Sequence, residues 1–173
     1  MKKMYWILFA FLTTLKSGAQ VPGGQTPAQV LPDFTFYRMD QKYFKKSDLP
    51  GGRMMLFVFF DPGCEHCQKA AASLDKQHES LDKTAVFFVS TDPPEMMTKF
   101  MTSYAPHLKD RRNVTLLYDG LNQFIPKFKP FKYPAMFLYS ASGQLVDYED
   151  NEETVFRLIN NIKKNHASPA GHS

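Results

Sequence analysis

The stretch Phe59-Phe60-Asp61-Pro62-Gly63-Cys64-Glu65-His66-Cys67 decides how this 173-residue chain is read. An unbroken apolar run, Met54 to Phe60, enters it. A run of that kind suits a strand buried on both faces of a sheet. A helical pattern leaves it over Gln68 to Leu81, with Cys67, Ala70, Ala71, Leu74, His78 and Leu81 on one side. The chain's two cysteines therefore stand where a strand ends and a helix opens. A helix start offers unpaired N–H groups and partial positive charge, which favour the thiolate of Cys64 over its thiol. The thiolate is the attacking species in disulfide exchange. Cys67, one turn further on, is placed to close an intrachain disulfide with it. The stretch reads as a dithiol redox site, and nothing in it calls for a metal or organic cofactor.

The rest of the composition is compatible with one packed domain. Hydrophobic residues make up 43% of the chain and there are 16 phenylalanines, which excludes a disordered protein. The formal charge is +4, but Lys2, Lys3 and Lys16 lie in the first 19 residues, which hold no acid. Without those three, 18 of the 21 basic residues remain against 17 acids. The basic balance is therefore a property of the N-terminus and gives no ground for expecting a nucleic-acid partner. Residues 1–19 read as a secretory signal peptide, with a positive start, an apolar stretch from Met4 to Leu15, and small residues at Ser17-Gly18-Ala19. The apolar stretch is short for a membrane span. Export would place the cysteines in a disulfide-permissive, periplasmic or extracytoplasmic compartment. Two cysteines exclude a multi-disulfide scaffold.

Residues 20–30, with Pro22, Gly23, Gly24 and Pro27, read as a linker, and residues 31–164 as the folded domain. Phe34 and Phe36 alternate with polar neighbours in a first strand, and Gln41 to Phe44 is expected to be its hairpin partner. Thr84 to Ser90 and Val114 to Tyr118 are further strands. A helix begins at Asp92-Pro93-Pro94-Glu95 and presents Met96, Met97, Phe100, Met101 and Tyr104. A short helix is expected over Leu121 to Ile125, stopped near Pro126. The basic and aromatic residues from Lys127 to Lys132 read as a solvated edge. Tyr133 to Tyr139 and Gln144 to Tyr148 form a second hairpin. Asn151 caps a last helix whose apolar face is Val155, Phe156, Ile159 and Ile162. Residues 165–173 read as a disordered tail. The order of elements predicts an α/β fold with a mixed central β-sheet and helices on both faces.

A strand, Cys-x-x-Cys and helix at the front, with Tyr133-Pro134 before a strand–turn–strand–helix at the back, resemble the thioredoxin superfamily. The Leu31-Pro32-Asp33-Phe34 opening and the exported context resemble its TlpA/ResA-like branch of extracytoplasmic thiol-disulfide oxidoreductases, which share an AhpC/TSA-redoxin-like domain. The resemblance covers about Leu31 to Ile162. It implies a thioredoxin-like fold with an N-terminal β-hairpin extension. It also implies that Cys64 attacks, that Cys67 resolves, and that Pro134 follows a cis bond beside the sulfurs. The backbone of Tyr133 would then pair with a substrate strand, and Gly63, where thioredoxins usually carry tryptophan, would leave a less bulky substrate-facing rim. His66 matches the histidine of strongly oxidising relatives and would favour the thiolate, whereas the charge of Glu65 would oppose it. The buried acids of relatives are missing, with Val58 and Ala70 in their places. Asp61 is close enough in sequence to substitute. The implied partners are proteins bearing thiols or disulfides and a membrane or periplasmic redox protein, and the chain is expected to be a monomer.

Three other readings are weaker. Copper carriers on this fold use two thiolates, spaced by three residues, and a distant histidine. Here the spacing is two, and His107 and His166 lie in no motif. A peroxidase of the peroxiredoxin type wants threonine three residues before its reactive cysteine, where this chain has Asp61. A purely structural disulfide would enclose too small a loop to stabilise much.

Overall fold

The computed structural model describes residues 26–167. The expected signal peptide, the start of the expected linker and residues 168–173 lie outside the described residues. One sheet of seven strands organises the rest, in the order β2-β1-β5-β4-β3-β6-β7. The strands are β1 (Thr35–Arg38), β2 (Tyr43–Lys45), β3 (Met55–Phe59), β4 (Ala85–Ser90), β5 (Val114–Tyr118), β6 (Ala135–Tyr139) and β7 (Leu145–Glu149). The helices are α1 (Glu65–Lys76), α2 (Pro94–Tyr104), α3 (Pro106–Lys109), α4 (Phe124–Phe128) and α5 (Val155–Ala167). β3, β4 and β5 are parallel, whereas β6 runs antiparallel to β3 and β7 to β6. The α/β thioredoxin-like fold with its N-terminal hairpin is the one the sequence predicts.

The central strand is buried on both faces because its residues alternate between two cores. Leu56 and Val58 join Phe60 beneath α1, α2 and α5. Met55, Phe57 and Phe59 face the opposite way, into a cluster with Phe34, Phe36, Phe44, Phe124 and Phe128. That second core is mostly aromatic. The Phe124 and Phe128 rings stack at 4.0 Å, and Phe59 lies 4.2 Å from Phe124. Offset ring stacking of this kind adds about 0.5–1.5 kcal/mol per pair to area burial.

Several boundaries differ from the sequence reading. α1 starts at Glu65 and ends at Lys76, and a separate 3-10 turn carries His78 to Leu81. α4 runs through Pro126 instead of stopping there. Pro126 falls in the first turn, where its missing N–H has no partner to lose. Phe128, expected on a solvated edge, is fully buried. On α5 the buried stripe is Val155, Leu158, Ile159 and Ile162. Phe156 is 66% exposed, because it stands about 100° around the helix from Val155. Asn165 to Ala167, expected in the tail, complete that helix. The end of the expected linker is also tied down. Ala28 N–H donates to the Phe128 carbonyl, and the Tyr139 hydroxyl donates to the Ala28 carbonyl.

Candidate active site

Three loops meet at the C-terminal ends of β3 and β4, where open α/β sheets present their functional groups. The first runs from β3 into α1. Asp61 sets its shape: the carboxylate Oδ1 accepts from Gly63 N–H at 2.7 Å, and the Asp61 carbonyl accepts from Cys64 N–H at 3.1 Å. Gly63 leaves little space for a side chain, since a Cβ there would stand 3.3 Å from that same Oδ1. Cys64 follows as the N-cap of α1, in extended conformation, and its carbonyl accepts the first helical bond from Gln68.

Cys64 is half-buried at the surface, whereas Cys67 is 1% exposed beneath it. The two side chains are within hydrogen-bonding reach of each other. Burial among apolar side chains holds the Cys67 thiol far above the ordinary thiol range. The neighbouring Cys64 and the Asp61 charge push the same way, and a hydrogen bond from the Asp61 backbone opposes them. The two sulfurs are therefore inequivalent, one accessible and one kept protonated below it.

The second loop precedes β6. The register sets Ala135 opposite Phe59, so Pro134 stands alongside Phe60 at the entrance to the dithiol loop. The Tyr133–Pro134 peptide bond is cis, as the resemblance implies. The Tyr133 ring stacks on Phe59 at 4.8 Å. Burial raises its phenol above the ordinary range, and the charges of Asp61 and Asp92 raise it further. The third loop follows β4 and brings Thr91 to the Tyr133 hydroxyl. Beside the Pro62-Gly63 corner lies a 280 Å³ groove against α2, lined by Met96, Phe100 and Tyr104 among others. Met96, expected on the helix's apolar face, is 47% exposed at its rim.

The two residues between the cysteines are turned outward. Glu65 is ion-paired with Lys69 one turn along α1, at 2.7 Å. His66 Nδ1 bonds Glu152 Oε1, also at 2.7 Å, in the turn before α5. Each of the expected redox-tuning side chains thus has a polar partner at hydrogen-bonding distance. Glu152 is a site residue that sequence reading missed, because 86 positions separate it from His66. The two histidines considered as distant metal ligands are engaged elsewhere, His107 with Asp75 and His166 with Thr84. Among the described residues no group of three His, Cys, Asp or Glu side chains is arranged to hold a metal ion. Nor, among those residues, is any helix long and apolar enough to cross a membrane.

Protein disulfide isomerase-like 1-3 of Oryza sativa subsp. japonica is 28% identical over 124 residues, a match covering 70% of this chain and 17% of that longer protein. A putative protein disulfide isomerase from Bacteroides thetaiotaomicron superposes with a TM-score of 0.63 at 22% identity, covering 80% of this chain and 89% of the other. Yeast Sco1 superposes with a TM-score of 0.61 at 17% identity, covering 82% of this chain and 98% of the other. At such identities the two structures establish the thioredoxin-like fold alone. The model of the AhpC/TSA family matches residues 27–148, well over half of the sequence, and the chain belongs to that family.

Proposed function

We propose that this chain is an exported thiol-disulfide oxidoreductase of the TlpA/ResA-like kind that exchanges disulfides with partner proteins. One observation carries the reading: an accessible Cys64 at the mouth of α1 sits directly over a buried, protonated Cys67. In the reducing direction the Cys64 thiolate attacks a substrate disulfide. A Cys64–substrate bond forms as the substrate's S–S bond breaks, and the departing sulfur takes up a proton. Cys67 then loses its proton and attacks Cys64, releasing the second substrate thiol and leaving the Cys64–Cys67 disulfide. Two electrons have passed to the substrate. The oxidising direction is the same sequence reversed.

Tyr133 and Pro134 flank the sulfurs and offer the substrate backbone a place to lie, while Gly63 keeps the rim low. We assign residues 1–19 to export and take the working compartment to be periplasmic or extracytoplasmic. The chain acts as a monomer, with a membrane or periplasmic redox protein resetting the dithiol and no part for nucleic acid. The test is insulin reduction with dithiothreitol as electron source. Wild-type protein accelerates it and Cys64→Ala protein does not, whereas equal rates would overturn the proposal. Metal analysis after anaerobic purification and peroxide consumption with a thiol reductant separate this reading from a copper carrier and from a peroxidase. The negative charge of Asp61 next to the dithiol disfavours an anionic peroxide there.

A further inference from the structure

β5 is the third strand of seven, yet half of its outer edge is uncovered. β1 meets it only at Tyr37–Tyr118 and Arg38–Leu117. Past Arg38 the chain reverses. Gln41 takes a positive φ of 63° and donates its N–H back to the Arg38 carbonyl, and β2 then returns along β1. Val114, Thr115 and Leu116 are therefore held by β4 on one side and faced by no strand on the other among the described residues. In a parallel ladder alternate residues turn their N–H and C=O groups to alternate sides. Val86 N–H donates to the Asn113 carbonyl and Asp119 N–H to the Ser90 carbonyl, so Val114 and Leu116 turn their main chain away from β4. The Val114 N–H is taken there by the Arg111 carbonyl, and the Val114 carbonyl and the Leu116 main chain make up the rest of that edge. All three residues line a 560 Å³ groove. It lies at the end of the sheet where the parallel strands begin, the pole opposite the dithiol.

The groove is rich in cations. Arg38, Lys109 and Arg112 line it and are exposed. Among the described residues no ion pair engages Lys109 or Arg112, whereas the Arg38 guanidinium lies over the Phe44 ring, 4.7 Å from its centroid, and Arg111 is taken by Asp82. Of the two acids that also line the groove, Asp40 is paired with Lys42, which leaves Asp110. An open sheet edge recognises an extended main chain, and alternate side chains of an added strand fall on one face. A strand with carboxylates at every second position would set them along one rim of this groove.

We propose that the Val114–Leu116 edge is a docking site for an extended acidic peptide segment of a partner protein, which adds as a strand in line with β1 and places its carboxylates on Lys109 and Arg112. This site is separate from the dithiol and does not rest on the redox reading. The test uses the full chain and a fluorescein-labelled seven-residue peptide that alternates glutamate and valine, with binding read by fluorescence anisotropy. The doubly substituted Lys109→Glu, Arg112→Glu protein should bind about tenfold or more weakly, with insulin reduction unchanged. The same peptide N-methylated at alternate residues keeps its charge but cannot pair with the edge, and it should lose binding to wild-type protein. Equal affinity for the methylated peptide would overturn strand addition. Equal affinity of the charge-reversed protein would overturn the groove. Vesicles containing anionic lipid serve as the third probe, and binding to them without binding to the peptide would assign the cations to a membrane surface and overturn the proposal.

Discussion

His66 Nδ1 lies 2.7 Å from Glu152 Oε1, so the imidazole between the two cysteines is held at the surface by the turn that leads into α5. The bond depresses the Glu152 pKa, and the charge of Lys69 contributes in the same direction. A depressed carboxyl stabilises the fold above its unfolded pKa, and that contribution fades as pH falls through the lower folded value. The pair lies at the surface, so its worth is about 1 kcal/mol at most. His66→Ala should return the Glu152 titration, followed by carboxyl carbon resonance, toward the ordinary glutamate range. An unchanged titration would show that the bond is not formed in solution.

The same geometry bears on redox tuning. A histidine paired with a carboxylate projects little net field onto Cys64. His66→Ala should therefore move the Cys64–Cys67 reduction potential by less than about 30 mV, or 1.4 kcal/mol for this two-electron couple. Equilibration with glutathione measures it. A larger displacement would mean that the imidazole turns back to the sulfur in the reduced protein.

Cys67 makes the reduced protein alkali-sensitive. Its folded pKa is raised, chiefly by burial. Between the unfolded thiol value and the folded one, the unfolded chain ionises this thiol and the native state does not. The native state then binds more protons, so stability falls as pH rises, by up to about 1.4 kcal/mol per unit. Urea unfolding of the reduced protein at pH 8, 9 and 10 should show the decline, and Cys67→Ala should remove that part of it. For the same reason iodoacetamide at pH 7 should label Cys64 and spare Cys67, which mass spectrometry of the cysteine peptides will read.

Asp119 holds the aromatic core together from the far side of the site. It is 1% exposed, and its two oxygens accept from Gln123 N–H at 2.9 Å and Phe124 N–H at 2.7 Å. These are start-of-helix amides with no intrahelical partner. α4 in turn carries Phe124, on which Phe59 stacks beneath Tyr133. Asp119→Ala should cost about 2–3 kcal/mol in denaturant unfolding, and Asp119→Asn should recover part of it by keeping one acceptor.

What was legible in the sequence is what short-range patterning dictates. The unbroken Met54–Phe60 run could hardly be anything but a central strand, and Cys64 at its exit followed from the helix behind it. Phe156 falls off the buried face because the stripe runs 155-158-159-162, through Leu158, and helical spacing sets residue 156 beside it. Pro126 misled because its position within the first turn, not its identity, decides whether a helix tolerates it. The contacts His66–Glu152 and Asp75–His107 span 86 and 32 residues and depend on how α1 packs against its neighbours. No local pattern encodes them. The direction of the Asp61 side chain was likewise beyond sequence, since its hydrogen bond to Gly63 arises only once the turn is made.

Asp61 occupies the dithiol loop, and its charge is one of the influences that keep Cys67 protonated. Asp61→Asn keeps an oxygen for Gly63 N–H and so preserves the turn, but it removes the charge. The Cys67 thiolate is then disfavoured less, and the attack of Cys67 on a Cys64 mixed disulfide should move to lower pH. The decay of a Cys64–glutathione adduct, followed across pH 6 to 10 in wild-type and Asp61→Asn proteins, checks this. An aspartate that instead served as the base for Cys67 would give the opposite result, a slower decay at neutral pH with no displacement of the profile. The loop geometry favours the first outcome, because Oδ1 is already committed to the Gly63 amide and it is the Asp61 backbone that hydrogen-bonds Cys67.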